Sequence, residues 1–182
     1  MTASAPAFKE WQIIVNALGA GEQILILRKG GIAEGRGGFQ INASRFWLFP
    51  TQFHAQQEKT KPAAARWFTD ASNDVSTISL RYFADVAKSV FLDRWGDVAR
   101  LDPHHHWTEA TVRERFEWSR PAGIHALVVR VYALLTPITL ARTSEMGGCK
   151  SWIELPVTFD AQPSQPVLTE DVFTQRLATL AL

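Results

Sequence analysis

A single cysteine, Cys149, among 182 residues rules out an internal disulfide, so the fold must be held by packing and polar contacts. Long apolar runs are missing too. The longest, "ILIL" and "ALVV", fall far short of the roughly 18 to 20 residues that a membrane-spanning helix needs. The first residues lack the basic start and apolar stretch of a secretory signal. These absences predict a soluble, cytoplasmic protein with no membrane partner.

An excess of one charge is also lacking, with 19 Lys and Arg against 18 Asp and Glu, a formal net charge of +1. That balance argues against a strongly basic nucleic-acid protein. Several chemical signatures are absent as well. No Gly-Lys-Ser/Thr closes the glycine-rich stretch "KGGIAEGRGG" into a phosphate loop, and no Gly-x-Ser-x-Gly elbow presents a serine. No Asp/Glu-x-Lys pair follows a plausible nuclease strand, which counts against a restriction-type nuclease.

What the chain does hold is a 46% hydrophobic content, enough for a substantial core in one domain spanning residues 1–182. Residues 1–6 read as a tail, and residues 160–168 as a proline-rich connection to a final helix. The spacing of Phe8, Trp11, Val15 and Leu18 predicts an amphipathic helix over "APAFKEWQIIVNALGAG". "QILILRKGG" and "HALVVRVYALLTP" read as buried strands, with "SWIELPV" a third. "GFQINASRFWLFPT" supplies a strand around Phe39 and Ile41 and a short run, Phe46 to Phe49, ended by Pro50. The alternation of Ile78, Leu80 and Tyr82 predicts a long strand over "STISLRYFADVAKSVF".

Helices are expected at Pro62 to Phe68, at "FLDRWGDVARLDP" and at "TEATVRERF". In the last, Thr108 is the N-cap candidate and Thr111-x-x-Glu114 the box candidate. Thr169 should cap a last helix sharing Phe173, Leu177 and Leu180 on one face. This order lacks the regular alternation of a doubly wound sheet and predicts an α+β fold on a mixed or barrel-like β-sheet.

Charge is unevenly spread along the chain. From Arg28 to Arg66, seven Lys or Arg stand against two Glu, a net of +5; residues 67–118 carry six basic and nine acidic side chains, a net of −3. The basic segment is interleaved with Phe39, Phe46, Trp47, Phe49 and Phe53. It fits two roles: contact with phosphates and bases, or a solvated loop beside a core strand.

Three places could carry chemistry. "FPTQFHAQQ" sets His54 and Gln56 after a strand, where polar groups can converge on a ligand. "DPHHHWTE" would put His104 and His106 on one side if extended, a spacing compatible with two metal ligands, yet a full site needs more donors from elsewhere. Surface or helix-entry histidines satisfy the same pattern, and no metal or other cofactor is expected. Cys149 could act as a thiolate beside a histidine, but a lone cysteine is usually a small buried apolar residue, and Lys150 is the better candidate to touch a ligand.

The blocks "FKEWQIIVNALGAGEQILILRKGGIAE", "FWLFPTQFHAQ", "HHHWTEATVRERFEW", "VVRVYAL" and "GCKSWIEL" together resemble the bacterial family known as domain of unknown function 1802. The resemblance spans roughly Phe8 to Leu155. The family's histidine block runs Phe/Tyr-Pro-Thr-x-x-His-Gln, whereas Ala55 here separates His54 from Gln56. The resemblance implies a link with restriction-type nuclease domains and defence proteins, and hence an accessory role on nucleic acid.

In fold, the helix followed by "GAGEQILILRKG" and later strands is similar to the ASCH branch of PUA-like barrels, which implies binding of RNA or modified bases. The expected function is therefore an RNA- or DNA-binding or accessory domain. Arg28, Lys29 and Arg45 would meet phosphate. His54, Gln56 and nearby aromatics would form a base-sized pocket, with Thr51, His106, Lys150 and Trp152 also assigned to the ligand site. A small hydrolase using His54, His106 and Cys149, with or without zinc, is the alternative. A protein-interaction module with a tryptophan patch is the third.

Overall fold

The structure is a computed structural model that describes residues 4–28, 42–52, 55–69, 76–118, 121–148 and 150–182. Its elements, in chain order, are β1 (Ala5–Trp11), α1 (Gln12–Gly19), β2 (Leu25–Arg28), β3 (Arg45–Thr51), β4 (Thr77–Leu92), α2 (Trp95–Ala99), α3 (Glu109–Glu117), β5 (Ile124–Ala141), β6 (Trp152–Leu155), β7 (Ser164–Pro166) and α4 (Glu170–Thr179). Short 3-10 turns occupy Pro62–Trp67, Asp102–His104, Ser144–Met146 and Phe159–Ala161. The expected α+β class with a mixed sheet is what forms. The order along the sheet is β2-β5-β4-β3-β1-β6, with β7 added to β5; β1 and β3 run parallel and the other pairs antiparallel.

The sheet curls until its two end strands approach. Arg28, at the end of β2, donates from Nη2 to Ser151 Oγ at 3.1 Å, just before β6, and places Nη1 3.7 Å from Glu10 Oε2 on β1. Its guanidinium also lies over the Phe8 ring at 5.1 Å. A side-chain seam thus joins the ends of a barrel-like sheet. Two register shifts between β4 and β5 help it bend, one of them near Pro137, which cannot donate to the ladder.

Strand alternation builds two cores. Phe8, Phe46 and Leu48 face inward with β2, β5, α1 and the α3 and α4 residues Phe116 and Phe173. Trp152 closes this core edge-on against Phe8 and Phe46, with centroids 5.0 and 5.1 Å away. Ala7, Trp47 and Phe49 point the other way, packing with Leu80, Phe83, Met146 and Leu155. Among the described residues, no helix is long and apolar enough to cross a membrane.

The structure corrects several expectations. The helix predicted from Ala5 begins only at Gln12; its first half is β1, hydrogen-bonded to both β3 and β6, so tertiary pairing overrides the helical spacing. Ala5 and Pro6 are therefore paired rather than part of a tail. β3 continues through Pro50 to Thr51; proline is accommodated because the pairing with β4 stops at Trp47. β7 forms inside the stretch expected to be only a connection. Thr108 does cap α3, accepting from Thr111 N at 3.2 Å, but Thr111 turns its hydroxyl to the Lys59 carbonyl at 2.9 Å instead of opening a box with Glu114. Thr169 holds the N-cap position of α4 without a side-chain capping bond. The strand expected around Phe39 and Ile41, and the glycine-rich stretch before it, lie outside the described residues.

Candidate functional site

Parallel strands carry their carboxyl ends to the same edge of a sheet, where loops can build a site. In the β1–β3 pair, Lys9 lies beside Phe49 and Trp11 beside Thr51. These four residues line one wall of an open cleft of about 510 Å³. Arg28 and Gln52 continue the wall, and Arg142, Met146, Gly147, Gly148 and Lys150 close the other side. Four cationic side chains therefore surround the cleft, and no Asp or Glu occurs among its described lining residues.

The cations are not equivalent. Lys9 is nearly buried, and its ammonium donates to the carbonyls of Gly147 at 3.1 Å and Gly148 at 2.6 Å. It shapes the turn that presents Lys150. Gly148 makes that turn with φ +74°, a left-handed conformation that a side chain disfavours. Arg28 is held by Ser151 and Glu10 and shows only its outer edge. Arg142 and Lys150 are exposed and have no ion-pair partner among the described residues.

Behind the cleft sits a buried charge cluster. Glu10 is 1% exposed; Oε1 accepts from Trp11 N at 2.7 Å, whereas Oε2 has no hydrogen-bond partner among the described residues and faces Arg28. Arg115 of α3 donates to the Leu27 carbonyl at 3.0 Å, between the rings of Trp11 at 4.7 Å and Trp107 at 4.9 Å. Burial lowers the Arg115 pKa to about 10, with Glu10 pulling it up and Arg28 pushing it down. Glu10 thus pairs with Arg28 and also acts on Arg115, with Glu114 adding a weaker pull in the same direction.

Of the residues assigned from sequence, Arg28, Thr51 and Lys150 line the cleft. Gln52 and Gly148, which line it as well, adjoin positions 53–54 and 149; His54, Cys149 and Lys29 themselves lie outside the described residues. Four others are placed elsewhere. Arg45 forms a two-point pair with Asp85, at 2.6 and 2.8 Å, and covers the rings of Phe83, Tyr132 and Phe159. Gln56 is buried and accepts from Ile13 N at 3.2 Å, capping the start of α1. Trp152 is a wall of the inner core.

His106 is half-buried, with its amide donated to Gln23 Oε1 at 3.1 Å, and burial lowers its pKa. His104 ends a 3-10 turn, while His105 is 5% exposed and His106 half-buried. No group of three or more His, Cys, Asp or Glu that could hold a metal occurs among the described residues.

Sequence reasoning missed Lys9, Trp11 and Arg142. Lys9 was hidden by the helical reading of its segment, in which a lysine next to a glutamate looks like a solvated face. Arg142 follows the long β5 with no motif around it. Its position opposite β3 depends on the sheet's curvature.

The profile of the family described as "Domain of unknown function (DUF1802)" matches residues 7–179. The chain belongs to this family. The DUF1802 match covers both cleft walls and the buried cluster behind them. No curated protein matches the chain.

Among solved structures, the DUF1802 chain is similar to the ASCH protein of Zymomonas mobilis at 18% identity and a TM-score of 0.44, over 96% of this chain and 94% of that one. Two mutant forms of that protein match at 17% identity and TM-scores of 0.45. One alignment covers 96% of each chain, and the other 69% of this chain and 66% of the other.

Proposed function

We propose that the cleft binds the phosphate backbone of single-stranded nucleic acid. The reading rests on one observation: four cationic side chains and no described acidic residue surround a cleft of about 510 Å³ at the carboxyl ends of a parallel strand pair. Arg28 offers a guanidinium already oriented by Ser151 and Glu10, which limits the ordering that binding requires. Arg142 and Lys150 supply exposed charge, while Trp11 and Thr51 add an aromatic surface and a hydroxyl. A duplex presents its phosphates on a broad convex surface; a recessed cleft suits a strand that can bend into it. The accessory role implied by the family resemblance fits a module that holds a strand for a partner enzyme.

The test is fluorescence anisotropy with labelled single-stranded RNA and DNA over a salt series. Three cations, Arg28, Arg142 and Lys150, predict a slope of log K against log salt of about −2 for single strands. Replacing Arg142 and Lys150 together by alanine should flatten the slope to about −0.7 and weaken binding to all sequences alike. Absence of binding to either strand type at low salt, or an unchanged slope in the double variant, would defeat the proposal.

A further inference from the structure

β3 and β4 are paired from Arg45 with Asp85 to Trp47 with Phe83. Past that point the strands part: Leu48 to Thr51 stay paired with β1, and Thr77 to Leu80 with β5. Pro50, which has no amide hydrogen to donate, sits on the strand that turns away. The fork between them is a cavity of about 500 Å³, with Leu48 and Tyr82 at its vertex and further walls from α1 and the Pro62–Trp67 turn. Small-molecule sites commonly measure roughly 300–1,000 Å³.

Three arginines line this fork, and they come from separate parts of the chain. Arg81 belongs to the polar face of β4: Thr77, Ser79 and Arg81 alternate with Ile78 and Leu80, which are buried in the second core. A register shift against β5 falls between Leu80 and Tyr82, and such irregularities re-aim the side chain at the shift, here Arg81. Arg142 follows β5, and its amide donates to the Ser76 carbonyl at 2.7 Å, which holds it beside the start of β4. Arg66 lies over the Trp67 ring at 5.3 Å.

These charges are poorly compensated. Arg81 and Arg142 are exposed and have no ion-pair partner among the described residues. Arg66 pairs with Glu22 at 2.7 Å, but both side chains are well exposed, and a solvent-screened pair of this kind holds its partners weakly. Glu22 does not line the fork, and no described lining residue is acidic. Guanidiniums gathered on one cavity repel one another; an anion among them replaces that repulsion by attraction.

We propose that the fork binds a phosphate monoester, the group carried by a phosphorylated small molecule or by the phosphorylated end of a strand. Arginine forms two-point hydrogen bonds with phosphate oxygens, and Thr77 and Ser79 add hydroxyls on the same face as Arg81. An internal diester has one negative charge and two free oxygens, whereas a monoester has about −1.5 to −2 charge and three, which suits three arginines better. Beside Trp67 and Tyr82 there is room for the group that bears the phosphate. This inference goes beyond the reading of the cleft and does not depend on it. Arg142 lines both spaces, but Arg66 and Arg81 line only the fork, and Lys150 only the cleft.

The experiment has two arms. In the first, methyl phosphate and dimethyl phosphate are titrated by NMR, at low ionic strength, into the full chain and into Arg81→Ala, Ser79→Ala and Lys150→Ala variants. Methyl phosphate should bind saturably and about fivefold or more tighter than the diester. Arg81→Ala should weaken it about tenfold and Ser79→Ala about threefold, while Lys150→Ala leaves it unchanged. Arg81 and Ser79 are exposed, so both variants should keep the thermal melt of the natural chain. Absence of saturable binding, or equal affinity for the two esters, would overturn the proposal. So would weakening by Lys150→Ala with none by Arg81→Ala, which would put the phosphate in the cleft.

The second arm separates the two sources of the monoester, using ribose 5-phosphate and a short single strand with and without a terminal phosphate. If end phosphorylation tightens strand binding about tenfold and Arg81→Ala cancels the gain, the ligand is a strand end. If it changes nothing while ribose 5-phosphate binds in an Arg81-dependent way, the ligand is a small phosphorylated molecule. Failure of every monoester, with the unphosphorylated strand still bound, overturns the fork and leaves the cleft standing. Monoester binding without any strand binding overturns the cleft alone.

Discussion

His105 should make the protein acid-sensitive in a manner that one substitution removes. Its ring is 5% exposed, 5.6 Å from the Trp107 ring, and its Nδ1 has no hydrogen-bond partner among the described residues. The pKa is lowered to about 3, first by burial, then by Lys61, with Arg115 and His106 acting the same way and Asp102 opposing. The sign follows from proton counting. Between pH 6.5, the ordinary histidine value, and about 3, the unfolded chain holds a proton at this site that the folded chain does not, so stability falls as pH falls.

With these two values the loss between pH 7 and pH 4.5 is about 2.5 kcal/mol from His105 alone. A His105→Phe variant keeps an aromatic ring against Trp107 and removes both the titration and the orphaned nitrogen. Urea unfolding of both chains at the two pH values isolates the effect, because all other titrating groups are common to them. The variant should match or exceed the natural chain at pH 7 and lead it by a further 2 to 3 kcal/mol or so at pH 4.5. Stability curves that stay parallel as the pH falls would refute the reasoning, showing that His105 is not kept neutral in the fold.

Two more substitutions probe the frame of the fold. Gly19→Ala should destabilise the chain by roughly 1–3 kcal/mol in urea melts, because the new methyl overlaps the Tyr82 ring. Arg115→Met should lose about 1.5–3 kcal/mol from the bond to the Leu27 carbonyl and up to about 2 for each stacked indole, less about 3 regained by not burying a charge. A net loss of roughly 2 kcal/mol is expected; a variant more stable than the natural chain would show that the desolvation term had been set too low.

Much of the frame is legible from local pattern alone. β2 and β5 announce themselves as aliphatic runs buried on both faces, β4 by its alternation, and α3 by Thr108 at its cap. Arg28 and Thr51 reach the cleft as the last residues of β2 and β3, and Lys150 from the turn before β6, where strands meet loops. β1 is not legible, since two of its last three residues, Lys9 and Glu10, are charged yet nearly buried. Their partners, Gly147, Gly148 and Arg28, come from distant parts of the chain or form only when the sheet curls. Arg45 and Gln56 fit the composition of a binding segment, but Asp85 claims one and the start of α1 the other. The histidine run reads from sequence as surface or helix-entry residues, and its middle member departs from that: His104 ends a 3-10 turn, whereas His105 is buried.

The seam at Arg28 sets this barrel-like sheet apart from one closed by a ladder of backbone bonds. Ladder closure comes in whole-residue steps, because a slipped strand must find its next register. A guanidinium resting on a hydroxyl and a carboxylate has no such step and can yield by tenths of an ångström while every strand keeps its own pairing. The guanidinium that spans the two end strands also lines the cleft, so the seam and the cleft share a side chain. An anion in the cleft would compete with Glu10 for Arg28, and so would meet the side chain that holds the two end strands together.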